Sequence, residues 1–179
     1  MSTFRQIRRM LAVLVTGGAI AGGMIAAAGP AQAEITPFKL SLTAMHSNKV
    51  LAESSNIPGT AVVQRAPNSS PATARQWRFD FIATATVRLV NEESGMCMTP
   101  EKANEISYVR MQPCGSAISA TQVWKYHVRQ FNGQTVNQWT NQQSQMCLDV
   151  GEASQANEAK VIQFPCTDGP NQLFKQTVV

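Results

Sequence analysis

Leu89-Val90-Asn91-Glu92-Glu93-Ser94-Gly95-Met96-Cys97-Met98 and Trp139-Thr140-Asn141-Gln142-Gln143-Ser144-Gln145-Met146-Cys147-Leu148 align without a gap, with Asn, Ser, Met and Cys in register. A fainter third copy is Leu42-Thr43-Ala44-Met45-His46-Ser47-Asn48-Lys49-Val50-Leu51. Each copy runs on into a polar loop, a short apolar run and an aromatic residue: Trp77, Trp124 or Phe174. A period of about fifty residues marks a fold assembled from like units, none of which can bury its apolar face alone.

The units read as strands. Phe38-Lys39-Leu40-Ser41-Leu42 alternates apolar and polar residues, and Thr86-Val87-Arg88-Leu89-Val90 and Thr135-Val136-Asn137-Gln138-Trp139 do so less cleanly. Period two with β-branched and aromatic residues is a strand pattern. A second run recurs as Thr60-Ala61-Val62-Val63-Gln64, Ser107-Tyr108-Val109-Arg110-Met111-Gln112 and Lys160-Val161-Ile162-Gln163-Phe164, between loops rich in Asn, Ser, Gly and Pro. Residues 34–179 contain no amphipathic helical stretch of ordinary length. The expected fold is all-β, with three copies of about four strands each closing around one core and leaving few free sheet edges. Trp77, Trp124 and Phe174 are expected to meet near the pseudo-three-fold axis, as packing and not as ligand contacts.

The start of the chain lies outside the repeat. Arg5, Arg8 and Arg9 precede an apolar, acid-free segment at residues 10–28, and Ala31-Gln32-Ala33 is a small-x-small cleavage site. Residues 1–33 read as a secretory signal peptide cleaved near Ala33, which predicts an extracellular protein of residues 34–179 without membrane insertion. The leader holds three of the fifteen basic residues, leaving twelve against eleven acids and a net charge of +1. That balance gives no electrostatic footprint for nucleic acid. Cys97, Cys114, Cys147 and Cys166 all follow the leader, and an even number in an exported chain indicates disulfides. Cys97–Cys114 and Cys147–Cys166 occupy equivalent places in their copies, so one bridge within each is the expected pairing. A metal site is disfavoured: there is no Cys-x-x-Cys, and His46 and His127 are the only histidines.

Cys147-Leu148-Asp149-Val150, Gln163-Phe164-Pro165-Cys166 and Asn171-Gln172-Leu173-Phe174 together resemble one repeat of the ricin B-chain type lectins. Those proteins are β-trefoils whose three copies each end in a Gln-x-Trp signature. Gln122-Val123-Trp124 has it intact, Gln172-Leu173-Phe174 has Phe for Trp, and Arg75-Gln76-Trp77 has Arg in the Gln place. The resemblance covers residues 34–179, with repeats at about 36–82, 86–130 and 135–179. It implies a β-trefoil and a glycan or glycoprotein partner. A working sugar site in that family has a carboxylate after Cys-Leu, an aromatic before the second Cys and an Asn before the signature. Repeat 3 supplies Asp149, Phe164 and Asn171, with Gln163 adjacent. Asp accepts hydrogen bonds from two vicinal hydroxyls, the ring covers the apolar face of a galactose-like pyranose, and Asn fixes orientation. Repeat 2 has Thr99 and Gln112 at the first two places, and repeat 1 has Ala52 and Arg65.

No catalytic constellation is evident, and no cofactor is expected. Asp80, Glu92, Glu93, Glu101, Glu105, Asp149, Glu152, Glu158 and Asp168 are scattered, mostly in expected loops. Glu92-Glu93 answer to Gln142-Gln143 and read as a solvated turn, and neither histidine has an evident partner. One shallow sugar site reaches about millimolar affinity, so an oligomer or a partner protein is expected to supply avidity. The competing expectation is a protein-binding trefoil, such as a toxin-delivery subunit or protease inhibitor, making contact through the loop at residues 65–75.

Overall fold

The alternation read in each copy sets one strand face inward, and its period is kept in space. A computed structural model describes residues 38–179; the expected signal peptide lies outside the described residues. Repeat 1 contributes β1 (Lys39–Ala44), β2 (Val50–Glu53), β3 (Val62–Arg65) and β4 (Trp77–Ala83). Repeat 2 contributes β5 (Thr86–Asn91), β6 (Cys97–Pro100), β7 (Ser107–Gln112) and β8 (Trp124–Phe131), and repeat 3 contributes β9 (Gln134–Asn141), β10 (Cys147–Val150), β11 (Val161–Phe164) and β12 (Leu173–Val178). Strands β1, β4, β5, β8, β9 and β12 pair in that order, and β12 returns antiparallel to β1 from Leu40–Val178 to Ala44–Phe174. The ring is closed and has no free edge. The hairpins β2–β3, β6–β7 and β10–β11 sit off the ring and touch one another. This is the expected β-trefoil. Asp80 is one of the acids outside the loops: it lies on β4 opposite Arg88 and pairs with its guanidinium.

The repeated Asn and Ser build the turn after the first strand of each copy. Asn91 Oδ1 accepts the Glu93 N–H at 2.9 Å and Asn141 Oδ1 accepts that of Gln143 at 3.0 Å, while their amides donate to Ala74 and Thr121 carbonyls. Ser47, Ser94 and Ser144 hydroxyls each accept the N–H two residues on, at 3.2 Å. The residue after each serine is left-handed: Asn48 at φ 55°, Gly95 at φ 68° and Gln145 at φ 60°. Side chains that mimic backbone turns explain why those residue types recur.

Trp77, Trp124 and Phe174 are fully buried in one cluster with Leu42, Leu89, Trp139, Leu51, Met98 and Leu148. The Trp77 and Trp124 indoles donate to Leu51 and Met98 carbonyls at 3.0 and 3.1 Å. Trp139 stands where Leu42 and Leu89 stand in the other copies; Phe79 and Tyr126 pack on it with ring centroids 5.2 and 5.4 Å away. Disulfides join Cys97 to Cys114 and Cys147 to Cys166, each inside its own repeat. Repeat 1 has neither cysteine, and there Arg75 donates to the Pro67 carbonyl, bracing the loop at residues 65–75. Each bridge stabilises by about 3 kcal/mol in the chain-entropy account.

Polar side chains lock neighbouring lobes. Gln64 accepts from Ser47 and donates to Ser154 and Ala156 carbonyls of repeat 3 at 2.7 and 2.8 Å. Gln163, its equivalent, accepts from Ser144 and donates to Lys102 and Glu105 carbonyls of repeat 2 at 2.7 and 2.6 Å. His46, which had no evident sequence partner, adds an Nε2–H donation to Ser154 at 2.9 Å. Repeat 2 has Met111 at the glutamine place, and there Glu53 of repeat 1 is buried instead, both carboxyl oxygens lacking a hydrogen-bond partner. Burial pushes its pKa up; Ser94 lowers it, Glu93 raises it and Arg65 lowers it, in falling order. Glu92 is no solvated turn residue: its carboxylate binds Lys39 and Arg78, both at 3.2 Å, and is only 12% exposed.

Trp124→Ala removes an indole from the hub and is expected to destabilise the fold by about 3–5 kcal/mol in denaturant unfolding. Glu53 gives a second test. Its folded pKa lies above the unfolded value near 4.5, so its favourable share of stability is present below that value and lost as pH rises through the folded one. Glu53→Gln should therefore melt higher than wild type at pH 7, the difference closing as pH falls below about 4.5; a lower Tm for the variant at pH 7 refutes the assignment.

Candidate functional site

Asp149 lies on β10, where the β10–β11 register puts it opposite Ile162 and puts Cys147 opposite Phe164. These four side chains therefore share the outward face of the hairpin, while Leu148, Val150 and Val161 face the core. Phe164 is 37% exposed and Asp149 only 4%. The carboxylate is held from both sides: Asn171 Nδ2 donates to Oδ1 at 2.9 Å, and Gln172 Nε2 donates to Oδ2 at 2.8 Å. Asn171 Nδ2 also lies 3.3 Å from the Val150 carbonyl oxygen. A carboxylate oxygen carries two acceptor directions, so both oxygens retain capacity for a ligand hydroxyl.

Both amides come from the 3-10 turn at Pro170–Gln172, which the chain reaches through Gly169. A Cβ on Gly169 would stand 2.6 Å from Asn171 Oδ1, so a side chain here would displace the end of that carboxamide. Gln172 is itself anchored, accepting the Thr167 N–H at 2.7 Å and donating to Pro165 O at 3.0 Å. Beyond Val150 the chain bends sharply, with Glu152 at φ 57° and Ala153 at φ 48°. Two consecutive left-handed non-glycine residues are unusual, and such strain concentrates at binding sites. Burial raises the Asp149 pKa; the bonds from Gln172 and Asn171, then the charge of His46, pull it back less strongly.

Asp149, Phe164 and Asn171 are thus brought together. Gln163 is not with them. A strand neighbour of Phe164, it faces the opposite way, is fully buried and spends its carboxamide on the seam with repeat 2. The other repeats show the same frame without the acid. In repeat 2, Gln122 donates to Thr99 Oγ1 at 3.2 Å and to Pro113 O at 3.0 Å, copying Gln172. In repeat 1, Ala52 offers no acceptor, and Arg65 bonds Glu158 and the Ser54 carbonyl. The sequence reading placed Gln172 in the signature but not at the base of the site, where its bond to Asp149 belongs. Among the described residues no group of three His, Cys, Asp or Glu is placed to hold a metal ion, and no helix is long and apolar enough to cross a membrane.

The ricin-type β-trefoil lectin domain model matches residues 38–174. The chain belongs to that family. The designed three-fold symmetric protein ThreeFoil is 26% identical, with a TM-score of 0.70 over 79% of this chain and 99% of its own. An exo-β-1,3-galactanase from Clostridium thermocellum gives 0.71 at 21% identity, over 81% of this chain but 31% of its own. A ricin B-like lectin of Macrolepiota procera, solved with lactose, gives 0.64 at 11% identity, over 80% of this chain and 97% of its own. At those last two identities the likeness speaks for the fold. No curated protein matches the chain.

A carboxyl-carbon NMR titration of the unliganded protein should place the Asp149 midpoint above that of a free aspartate, near 3.8. Gln172→Ala, which removes the larger of the two amide contributions, should move it higher still. A midpoint unchanged by that substitution rules out the proposed hold on the carboxylate.

Proposed function

We propose that the protein is a carbohydrate-binding lectin with one galactose-type site, in its third repeat, and without catalytic activity. The observation that carries this is the Asp149 carboxylate held between two amides beside the open Phe164 ring. A pyranose seated there places two adjacent hydroxyls on Asp149, its C–H face on Phe164 and a ring hydroxyl on the Asn171 amide. Charged acceptors make the stronger bonds, and an aromatic face removes the apolar sugar face from water. Family membership supports the reading, as do related folds solved with sugars: the earthworm R-type lectin C-half with GalNAc and the Macrolepiota procera lectin with lactose.

The leader-like residues 1–33 and the two disulfides support secretion, with residues 34–179 as the mature domain. Glycans or glycoproteins are then the partners. With a single shallow site, avidity comes from self-association or a partner protein.

A glycan array is the direct test. Wild type should retain galactose-terminated glycans, and Asp149→Ala and Phe164→Ala should each lower retention at least about tenfold, the loss of one charge-assisted bond or one stacked ring. Silence of folded wild type across the array, with a protein captured through the loop at residues 65–75, favours the protein-binding alternative. Acidification is an independent check. Protonation removes an acceptor from Asp149, so calorimetric affinity should fall as pH drops, beginning above the range in which a free aspartate titrates.

A further inference from the structure

The face that carries Asp149 does not stop at the edge of its hairpin. Strand β11 pairs onward with β7 of repeat 2, with Ile162 opposite Tyr108. Asp149, Ile162 and Tyr108 therefore stand in one row across β10, β11 and β7, all outward, since Val161 and Val109 beside them face the core. Cross-strand neighbours in such a row lie about 5 Å apart. The row crosses from the third lobe to the second and runs into a cleft of about 640 Å³. Ile162 and Gly151 form its boundary with the Asp149 face, and Tyr108 and Ile106 give it apolar surface.

Tyr108 is 47% exposed. The Arg110 guanidinium lies 5.4 Å from the ring centroid and steadies it. Glu152 and Lys160, which also line the cleft, take part in none of the ion pairs among the described residues. An aromatic plate with an acceptor and a donor at its margins is the chemistry that holds a neutral hexopyranose. The other two seams lack it. The corresponding rows are Thr99, Arg110 and Ala61, and Ala52, Val63 and Lys160. The seam with the acid is the seam with the ring.

We infer that this cleft is a second sugar subsite, formed by repeats 2 and 3 together, in which Tyr108 stacks on the residue next to the one held by Asp149, so that the protein reads at least a disaccharide. This rests on the galactose reading of the Asp149 site. It makes Tyr108 the residue that sets preference among galactosides, and it supplies affinity that one shallow pocket lacks.

Calorimetry with the folded protein tests it, using galactose and galactosides extended on either side: lactose, β-1,3-galactobiose, β-1,3-galactotriose and 6′-sialyllactose. In wild type at least one extended galactoside should bind ten-fold or more tighter than galactose. Tyr108→Ala should bring that ratio to near one, and Tyr108→Phe, which keeps the ring, should retain it. A wild-type ratio near one for every extended sugar overturns the second subsite while leaving the Asp149 site standing, and a ratio that survives Tyr108→Ala does the same. Absence of binding by galactose and all its extensions overturns both.

Discussion

The structure depends on three small lobes sharing one aromatic hub. A lobe of four short strands has too little apolar surface to offset the entropy of ordering its chain. Trp77, Trp124 and Phe174 solve this jointly, each first or second in the last strand of its copy and each fully buried in a single cluster. The two tryptophans also tie hub to cap, because their indoles donate to the second strand of their own repeat. Phe174 buries a ring with no N–H to satisfy, so the third copy loses that tie without leaving an unmet donor. The hub fixes where the three hairpins land, and the third hairpin carries Asp149 and Phe164.

Symmetry sets the frame, and departures from it create the site. The same signature carboxamide reaches the same loop in repeats 2 and 3, at Pro113 and Pro165. What differs is the acceptor at its other side: Thr99 in one, Asp149 in the other. A threonine there satisfies a structural amide and nothing more. A carboxylate satisfies it, takes a second amide from Asn171 and still has unused acceptor directions. The seams show a parallel exchange. Gln64 and Gln163 are neutral clamps with all polar atoms bonded, whereas the seam at Met111 carries Glu53, a buried acid with no partner.

Much of this was legible in the chain, because what repeats in sequence also repeats in structure. Asn91, Asn141 and the three turn serines recur because each makes the same local bond, so the period and the disulfide pairing followed from alignment alone. Neither the second strands β2, β6 and β10 nor the fourth strands β4, β8 and β12 were located. The second strands are four residues long and almost wholly buried, and β8 is mostly solvent-facing, so neither group shows clean alternation. Asp149, Phe164 and Asn171 were legible only through the resemblance to the ricin B-chain type lectins. Gln163, next to Phe164 in sequence, faces the core, because adjacency in sequence means opposite faces on a strand. Tyr108 was out of reach, since its place beside Ile162 depends on contact between lobes and no pattern within one repeat encodes it. Glu53 was missed for the same reason: its burial is caused by the neighbouring lobe.

The Asp149 carboxylate opposes the stability of the domain that holds it. Burial raises its pKa despite two amide donors, so the ionised form is less well accommodated in the fold than in water. The Thr99 position shows that the frame closes around an uncharged hydroxyl, and Ala52 shows that it closes around no polar group at all. An acid at this one place is therefore not required by folding. The same lobe keeps Gly169 where a side chain would push Asn171 aside, and bends through two left-handed residues immediately after the strand. A buried acid and a strained turn thus fall together in one lobe, while the equivalent places in the other lobes avoid the acid. Constraints that oppose stability and meet at a single group are what a ligand site looks like when it is built on a frame that folds without it.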